Sequence, residues 1–243
     1  MGKKRADVVL VEQGLFDSRA KARAAIEAGG VSVDGRTLSK PSDMIDGGAS
    51  IEAVAAHPYV GRGALKLVRA LDLWPVALEG RTVLDVGAST GGFTQVCLER
   101  GAARVYAVDV GRGQLHPSLA GDPRVVSLEG VDARSLTSAL IPDAPDLIVT
   151  DVSFIGLAKA LPAALGLARG GAELVALVKP QFEVGPEAVG KGGLVKDDAA
   201  RARALDEVSA FLRASGWIVQ ANADSPIAGG DGNREYLLWA RKA

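Results

Sequence analysis

The sequence predicts an α/β protein: a larger domain on a mostly parallel sheet with helices on both faces, preceded by a small α+β module. Three observations predict it. From Thr82 onward, apolar strand-length runs alternate with helix-length segments, the pattern of parallel strands joined by crossover helices. The first of those strands runs into a glycine-rich turn and then a helix. Ahead of residue 58, two short helices and a hairpin form a unit of about 55 residues, a size that is stable only when compact.

Residues 6 to 13 read as a helix that Gly14 stops, and Asp17-Ser18 cap a second helix from Arg19 to about Ala28. Gly29-Gly30 ends it. Val31-Ser32-Val33 and Arg36-Thr37-Leu38 are short strands joined by Asp34-Gly35, a favoured two-residue hairpin turn, and another strand fits Ser50 to Val54. Residues 55 to 62 have no period, and Pro58 with Gly61 interrupts any helix. The expected organisation is therefore a module over 1–58, a linker over 59–63 and the larger domain over 64–243. Leu67 and Leu71 stand at helical spacing within Ala64 to Leu73. The parallel strands are Thr82 to Val86, Arg104 to Val108, Val125 to Leu128, Leu147 to Thr150 and Leu174 to Val178. Trp217 to Ala223 and Glu235 to Ala240 follow as two more strands, expected to form an antiparallel edge.

Hydrophobic residues make up 48% and charged residues 23% of the 243, enough for a sizeable core. The longest apolar runs are strand-length, far below the roughly 20 residues that span a bilayer. The basic start runs into Asp7 and Glu12 without the apolar core of an export signal, so the chain is expected in the cytoplasm, away from membranes. Cys97 is the only cysteine, which excludes an intrachain disulfide. His57 and His116 lack companions at metal spacing, so no metal site is expected. With a net charge of -1, a nucleic-acid partner would have to meet a local basic patch.

The stretch Val83-Leu84-Asp85-Val86-Gly87-Ala88-Ser89-Thr90-Gly91-Gly92-Phe93-Thr94 is a strand, a glycine-rich turn and a helix start, placed where such sheets bind nucleotide cofactors. Gly87 permits the tight turn, and Gly91-Gly92 are expected to let the backbone approach a ligand. Ser89 stands where a pyrophosphate-binding loop has its second glycine. S-adenosylmethionine has no phosphates, and its ammonium and sulfonium suit Asp85. Asp109, closing the next strand, can accept from two ribose hydroxyls, and Asp132, after the third, from the adenine amine. Ser89, Thr90 and Phe93 complete the expected cofactor set. Each residue alone could serve only a turn or a cap; together, at successive strand ends, they point to a cofactor.

At this point the sequence resembles the TlyA-type ribosomal RNA methyltransferases, also labelled haemolysins, within the wider FtsJ-like group. The resemblance spans nearly the whole chain. It rests on Gly63-Ala64-Leu65-Lys66-Leu67, the loop from Asp85 to Thr94, Thr150-Asp151-Val152-Ser153-Phe154, Val178-Lys179-Pro180-Gln181-Phe182-Glu183 and Gly232-Asn233-Arg234-Glu235-Tyr236. It implies a Rossmann-like methyltransferase domain, S-adenosyl-L-methionine as cofactor, and a catalytic tetrad on Lys66, Asp151, Lys179 and Glu235. The implied reaction is ribose 2'-O-methylation, of cytidine in ribosomal RNA. The short ends resemble the form of the family associated with large-subunit RNA.

In-line attack of a 2'-hydroxyl on a sulfonium methyl develops negative charge on oxygen, and Lys179, held by Asp151 and Glu235, is the expected cation beside it. Carboxylate neighbours keep such a lysine charged, so orientation and charge stabilisation come before proton abstraction. Pyrimidine C5 methylation would need a nucleophilic cysteine, and Cys97 lies on the helix after the cofactor loop. Exocyclic amine methylation goes with an (Asp/Asn)-Pro-Pro-(Tyr/Phe) pattern, which Asp151-Val152-Ser153-Phe154 does not match.

The first module resembles the RNA-binding fold of ribosomal protein S-four type. Arg19 and Arg23 share a helix face, with Lys21 and Arg36 near, and these four are the expected phosphate contacts. Through residue 60 the module carries eight Lys or Arg against eight Asp or Glu, so a basic side must come from their distribution, and a plain solvated face is the alternative. The implied partner is ribosomal RNA or a ribosomal subunit. Two other readings stay open: an RNA-binding assembly factor whose methyltransferase fold is inactive, and a haemolysin, for which there is neither an export signal nor a basic amphipathic helix.

Overall fold

The computed structural model describes residues 2–243, which divide into two compact units, one ending at Pro58 and the other Tyr59–Ala243. The smaller unit runs β1 (Lys4–Arg5), α1 (Ala6–Glu12), α2 (Arg19–Glu27), β2 (Val31–Val33), β3 (Arg36–Thr37), β4 (Met44–Ile45) and β5 (Ile51–Ala53). Ser18 caps α2 by accepting from the Lys21 amide. Asp34 and Gly35 both take positive φ, +49° and +76°, as a tight turn between β2 and β3 demands. β5 pairs with the other side of β2 in an antiparallel three-stranded sheet. Alanine faces let α1 and α2 approach closely, and Leu10, Phe16, Ile26 and Val31 fill the space between helices and sheet. The pairing of β1 with β4 was not visible in the sequence: two residues are too few to show a period.

The larger unit begins earlier than expected. Tyr59 and Val60 pack against its core, and the Val60 amide donates to Gln95 Oε1 at 2.8 Å, so 59–63 is the first segment of this unit rather than a free linker. It continues with α3 (Ala64–Leu73), β6 (Thr82–Val86), α4 (Gly92–Glu99), β7 (Arg104–Asp109), α5 (Pro117–Ala120), β8 (Val125–Glu129), β9 (Leu147–Thr150), α6 (Leu157–Ala160), α7 (Pro162–Leu167), β10 (Glu173–Val178), α8 (Pro180–Glu183), α9 (Asp198–Ala214), β11 (Trp217–Asp224) and β12 (Tyr236–Lys242). The seven strands lie in the order β11-β12-β10-β9-β6-β7-β8. The five from β8 to β10 are parallel, and β12 runs antiparallel to both β10 and β11.

Side chains alternate across the sheet and build a core on each face. Val83, Val105, Leu147 and Val175 pack under α3 and α4 on one side. Leu84, Tyr106, Ile148 and Leu174 pack under α6, α7 and α9 on the other. Every residue of β9 and β10 is buried, which is why those strands read as unbroken apolar runs. Cys97 is fully buried on the α4 side. Among the described residues no helix is long and apolar enough to cross a membrane.

Candidate active site

Four charged side chains meet at the carboxyl ends of β9 and β10. Lys66 projects from α3, Asp151 follows β9, Lys179 follows β10, and Glu235 precedes β12. Lys66 Nζ lies 2.6 Å from Glu235 Oε2 and 3.3 Å from Asp151 Oδ2, while Lys179 Nζ lies 2.7 Å from Asp151 Oδ1. Lys66, Lys179 and Glu235 are only 6%, 7% and 3% exposed. Two cations and two anions are thus withdrawn from water together, which is tolerable because each has an opposite charge in contact. A surface lysine on α3 or a solvent-reaching one after β10 would look different. Burial of Lys66 follows from its place on the helix face that also buries Leu67 and Ala70.

One detail corrects the expected arrangement. Glu235 pairs with Lys66, not with Lys179, because the start of β12 faces α3. Ser153 takes the remaining place at Lys179: the ammonium donates to Ser153 Oγ at 2.7 Å and to the Asp151 carbonyl oxygen at 3.3 Å. Ser153 belongs to the Thr150 to Phe154 motif, but a lone serine there carries no sequence signal of this contact.

Asp151 and Ser153 also line a cavity of about 630 Å³ that runs along the strand ends past Gly87, Ser89, Asp109 and Asp132. Gly87 has φ +85°, and a Cβ there would stand 3.0 Å from the Val152 side chain. The Asp109 carboxylate accepts from the amides of Ser89 at 2.8 Å and Gly111 at 2.7 Å, which fixes it at the cavity wall with lone pairs to spare. Asp132 lines the cavity after the third strand as expected, but it is already paired. Its two oxygens already accept from the Arg134 amide and guanidinium, which hold the carboxyl at about 2, so it meets an adenine amine only if Arg134 turns aside.

The rest of the expected cofactor set stands behind the cavity wall. Gly91 is demanded by packing: it has φ +93°, and a Cβ would run into Leu119 and Leu115. At Gly92 a Cβ would stand 3.2 Å from the Ala64 amide nitrogen, and Phe93 is buried in the core. Thr90 lies against Gly61 rather than the cavity. Asp85 is fully buried; one oxygen accepts from Thr94 Oγ1 at 2.7 Å and the other, Oδ1, has no hydrogen-bond partner. Burial, with repulsion from Asp151 and Asp109 and only partial relief from Thr94, pushes its carboxyl up to about 7.

Phe154 is a further residue at the site whose exposure the sequence does not announce. It is 91% exposed with φ +65°, next to Ser153 on the cavity rim, and its ring sits 5.3 Å from that of Phe182. Sequence could not flag it: the residue type alone reads as core.

In the smaller unit, Asp7 is fully buried and receives Arg5 at 2.9 Å and Arg19 at 2.8 Å. The hydrogen bonds from Arg5, then Arg19, bring its carboxyl down to about 2. Arg19 is thereby part of the unit's own architecture. Lys21 is paired with Asp17 at 2.9 Å. Arg23 and Arg36 are exposed, on α2 and β3.

Residues 59–242 match the family described as FtsJ-like methyltransferase, and residues 4–51 match the S4 domain. The Mycobacterium tuberculosis 16S/23S rRNA (cytidine-2'-O)-methyltransferase TlyA is 48% identical over 98% of this chain and 89% of its own length. Hemolysin A of Brachyspira hyodysenteriae is 38% identical over 96% of this chain and 98% of its own length. A solved structure of a Streptococcus thermophilus protein described as a hemolysin has a TM-score of 0.79 at 40% identity, covering 100% of this chain and 90% of that one.

Proposed function

This chain belongs to the FtsJ-like methyltransferase family, in its TlyA-type branch with an S4 domain, and from that premise we propose that it methylates the ribose 2'-hydroxyl of a cytidine in ribosomal RNA. The observation that carries the reading is the convergence of Lys66, Asp151, Lys179 and Glu235 through ion pairs, with Asp151 itself on the wall of the strand-end cavity. S-adenosyl-L-methionine fits that cavity: Asp109 offers fixed acceptors for ribose hydroxyls at its wall, and behind the wall Asp85 keeps a buried oxygen without a hydrogen-bond partner, a source of negative potential for a cationic ligand. The cofactor supplies a methyl group on a sulfonium, a leaving group that departs as a neutral thioether.

Lys179 is the cation for the reacting oxygen. Asp151 and Ser153 hold its ammonium in place, so a 2'-oxygen beside Nζ gains a preorganised positive charge as the proton leaves and the C–O bond forms. Lys66 and Glu235 keep Asp151 fixed from the other side. In this role Lys179 stays charged, and the hydroxyl proton passes to solvent late in the transfer. The exposed Phe154 ring beside Ser153 offers a flat apolar face on which the target base can stack once it leaves its RNA neighbours.

Residues up to 58 act as the RNA-binding domain and residues 59–243 as the catalytic one, with Arg23 and Arg36 the best phosphate contacts in the first. A ribosomal substrate makes the cytoplasm the place of action. The experiment is mass mapping of 2'-O-methyl groups in both ribosomal RNAs from cells with and without the protein. Loss of one cytidine modification is expected; identical maps would overturn the reading.

A further inference from the structure

Lys179 and Glu183 sit at opposite ends of one short corner, the residue after β10 and the last residue of α8. Both reach the same neighbouring segment, residues 151–157, which carries Asp151, Ser153 and Phe154. Lys179 holds its beginning through the Asp151 carboxylate, the Asp151 carbonyl and Ser153 Oγ. Phe182 packs its ring on Phe154 in the middle. Glu183 Oε1 accepts from the Leu157 amide at 2.9 Å at the end, where α6 begins with no side-chain cap of its own. The fit is close: a Cβ at Gly156 would stand 3.0 Å from Glu183 Oε2 and 3.1 Å from the Phe182 carbonyl oxygen.

We infer that Glu183 is a positioning residue for methyl transfer: by anchoring the start of α6 it sets the course of residues 151–157 and thereby the placement of Ser153 and Phe154 beside Lys179. The inference rests on the methyltransferase reading above. Glu183 touches neither the cavity nor the tetrad, so it acts through the segment and not on the substrate. Its retention at a buried position has a recognisable cost. Burial, with Glu207 of α9 adding repulsion against relief from the Leu157 amide, raises its carboxyl to about 7. Leu or Met would fill the same space without that cost but could not accept from Leu157.

The test compares Glu183→Ala, Glu183→Gln and Gly156→Ala with the parent, in single-turnover methylation, in RNA and cofactor binding, and in amide hydrogen exchange of residues 152–157 without ligands. Glu183→Ala is expected to slow turnover by roughly 10-fold or more, since small misplacements of reacting groups are costly, with both affinities within about 3-fold. Exchange in 152–157 should rise while that of β9 and β10 stays at the parental rate. Glu183→Gln keeps an acceptor for Leu157 and should recover most of the rate. Gly156→Ala disturbs the same anchor without altering Glu183 and should reproduce the slow phenotype, which keeps the test decisive if Glu183→Ala folds poorly. Parental turnover in Glu183→Ala, a Gln variant as slow as Ala, or slowing matched by a general rise in exchange would each overturn the inference. Parental protein inactive on every ribosomal RNA would instead overturn the methyltransferase reading, while the exchange data would still report on the anchor.

Discussion

Replacing Asp85 by Asn should change how the fold responds to pH. Asp85 is fully buried and faces repulsion from Asp151 and Asp109, which, against partial relief from the Thr94 hydroxyl, raise its carboxyl from 3.8 to about 7. Between those two values the folded chain holds a proton that the unfolded chain has released. Stability from this group is therefore fully present below about pH 4, falls as pH rises toward 7, and is level above. A difference of about 3 units, at about 1.4 kcal/mol each, puts the cost near 4 kcal/mol at pH 8 as an upper bound. Asn keeps an acceptor for Thr94 and has no charge to bury. Thermal melts of the ligand-free proteins should show Asp85→Asn gaining on the parent between pH 5 and 8, by at most roughly 10 °C at 2–4 °C per kcal/mol. With S-adenosylmethionine added at pH 8 the order should reverse or close, because the cation draws on the carboxylate only in the parent. A difference in Tm that is the same at pH 5 and pH 8 would refute the reasoning.

Three further outcomes are expected. Lys179→Ala should lower single-turnover methylation by roughly 100-fold or more, and Lys179→Arg should not restore it, because a planar guanidinium cannot occupy the ammonium's place between Asp151 and Ser153; rapid-quench assays at saturating RNA check both. Phe154→Ala should weaken productive RNA binding by an amount in the range of about 1–3 kcal/mol for a lost base stack, leaving Tm and cofactor affinity unchanged because the ring is exposed. Arg19→Glu should destabilise the smaller unit by removing a partner of buried Asp7, seen as protease sensitivity, whereas Arg23→Glu with Arg36→Glu should leave folding intact and flatten the salt dependence of RNA binding.

The sheet and its helices were legible because the strands are long, apolar and bounded by turn residues; β9 and β10 show this best, since burial on both faces leaves no polar position to blur the run. The tetrad was legible only through the family resemblance. Nothing in the local sequence distinguishes Lys66 from a solvent-facing helix lysine, and its nearest ion-pair partner, Glu235, lies 169 positions later. The glycines have a further reason that the sequence does not show. Gly91 and Gly92 looked like openings for a ligand, yet packing against Leu119 and Ala64 explains them, a reason that exists only once the helices have docked. Arg19 likewise read as a phosphate contact because its partner, Asp7, looked like an ordinary first-turn acid of α1.

The place of β12 carries a consequence for how the enzyme comes to life. This strand is the latest of all the elements in chain order, yet it lies inside the sheet between β10 and β11, and Glu235 stands at its entrance. A nascent chain that has emerged only as far as β11 already contains Lys66, Asp151 and Lys179 but lacks the partner nearest Lys66 and leaves one edge of β10 bare. Such an intermediate is sticky and inert at once. Pairing of these seven residues closes the sheet between β10 and β11 and brings Glu235 to Lys66, so the charge cluster is complete only once β12 is in place.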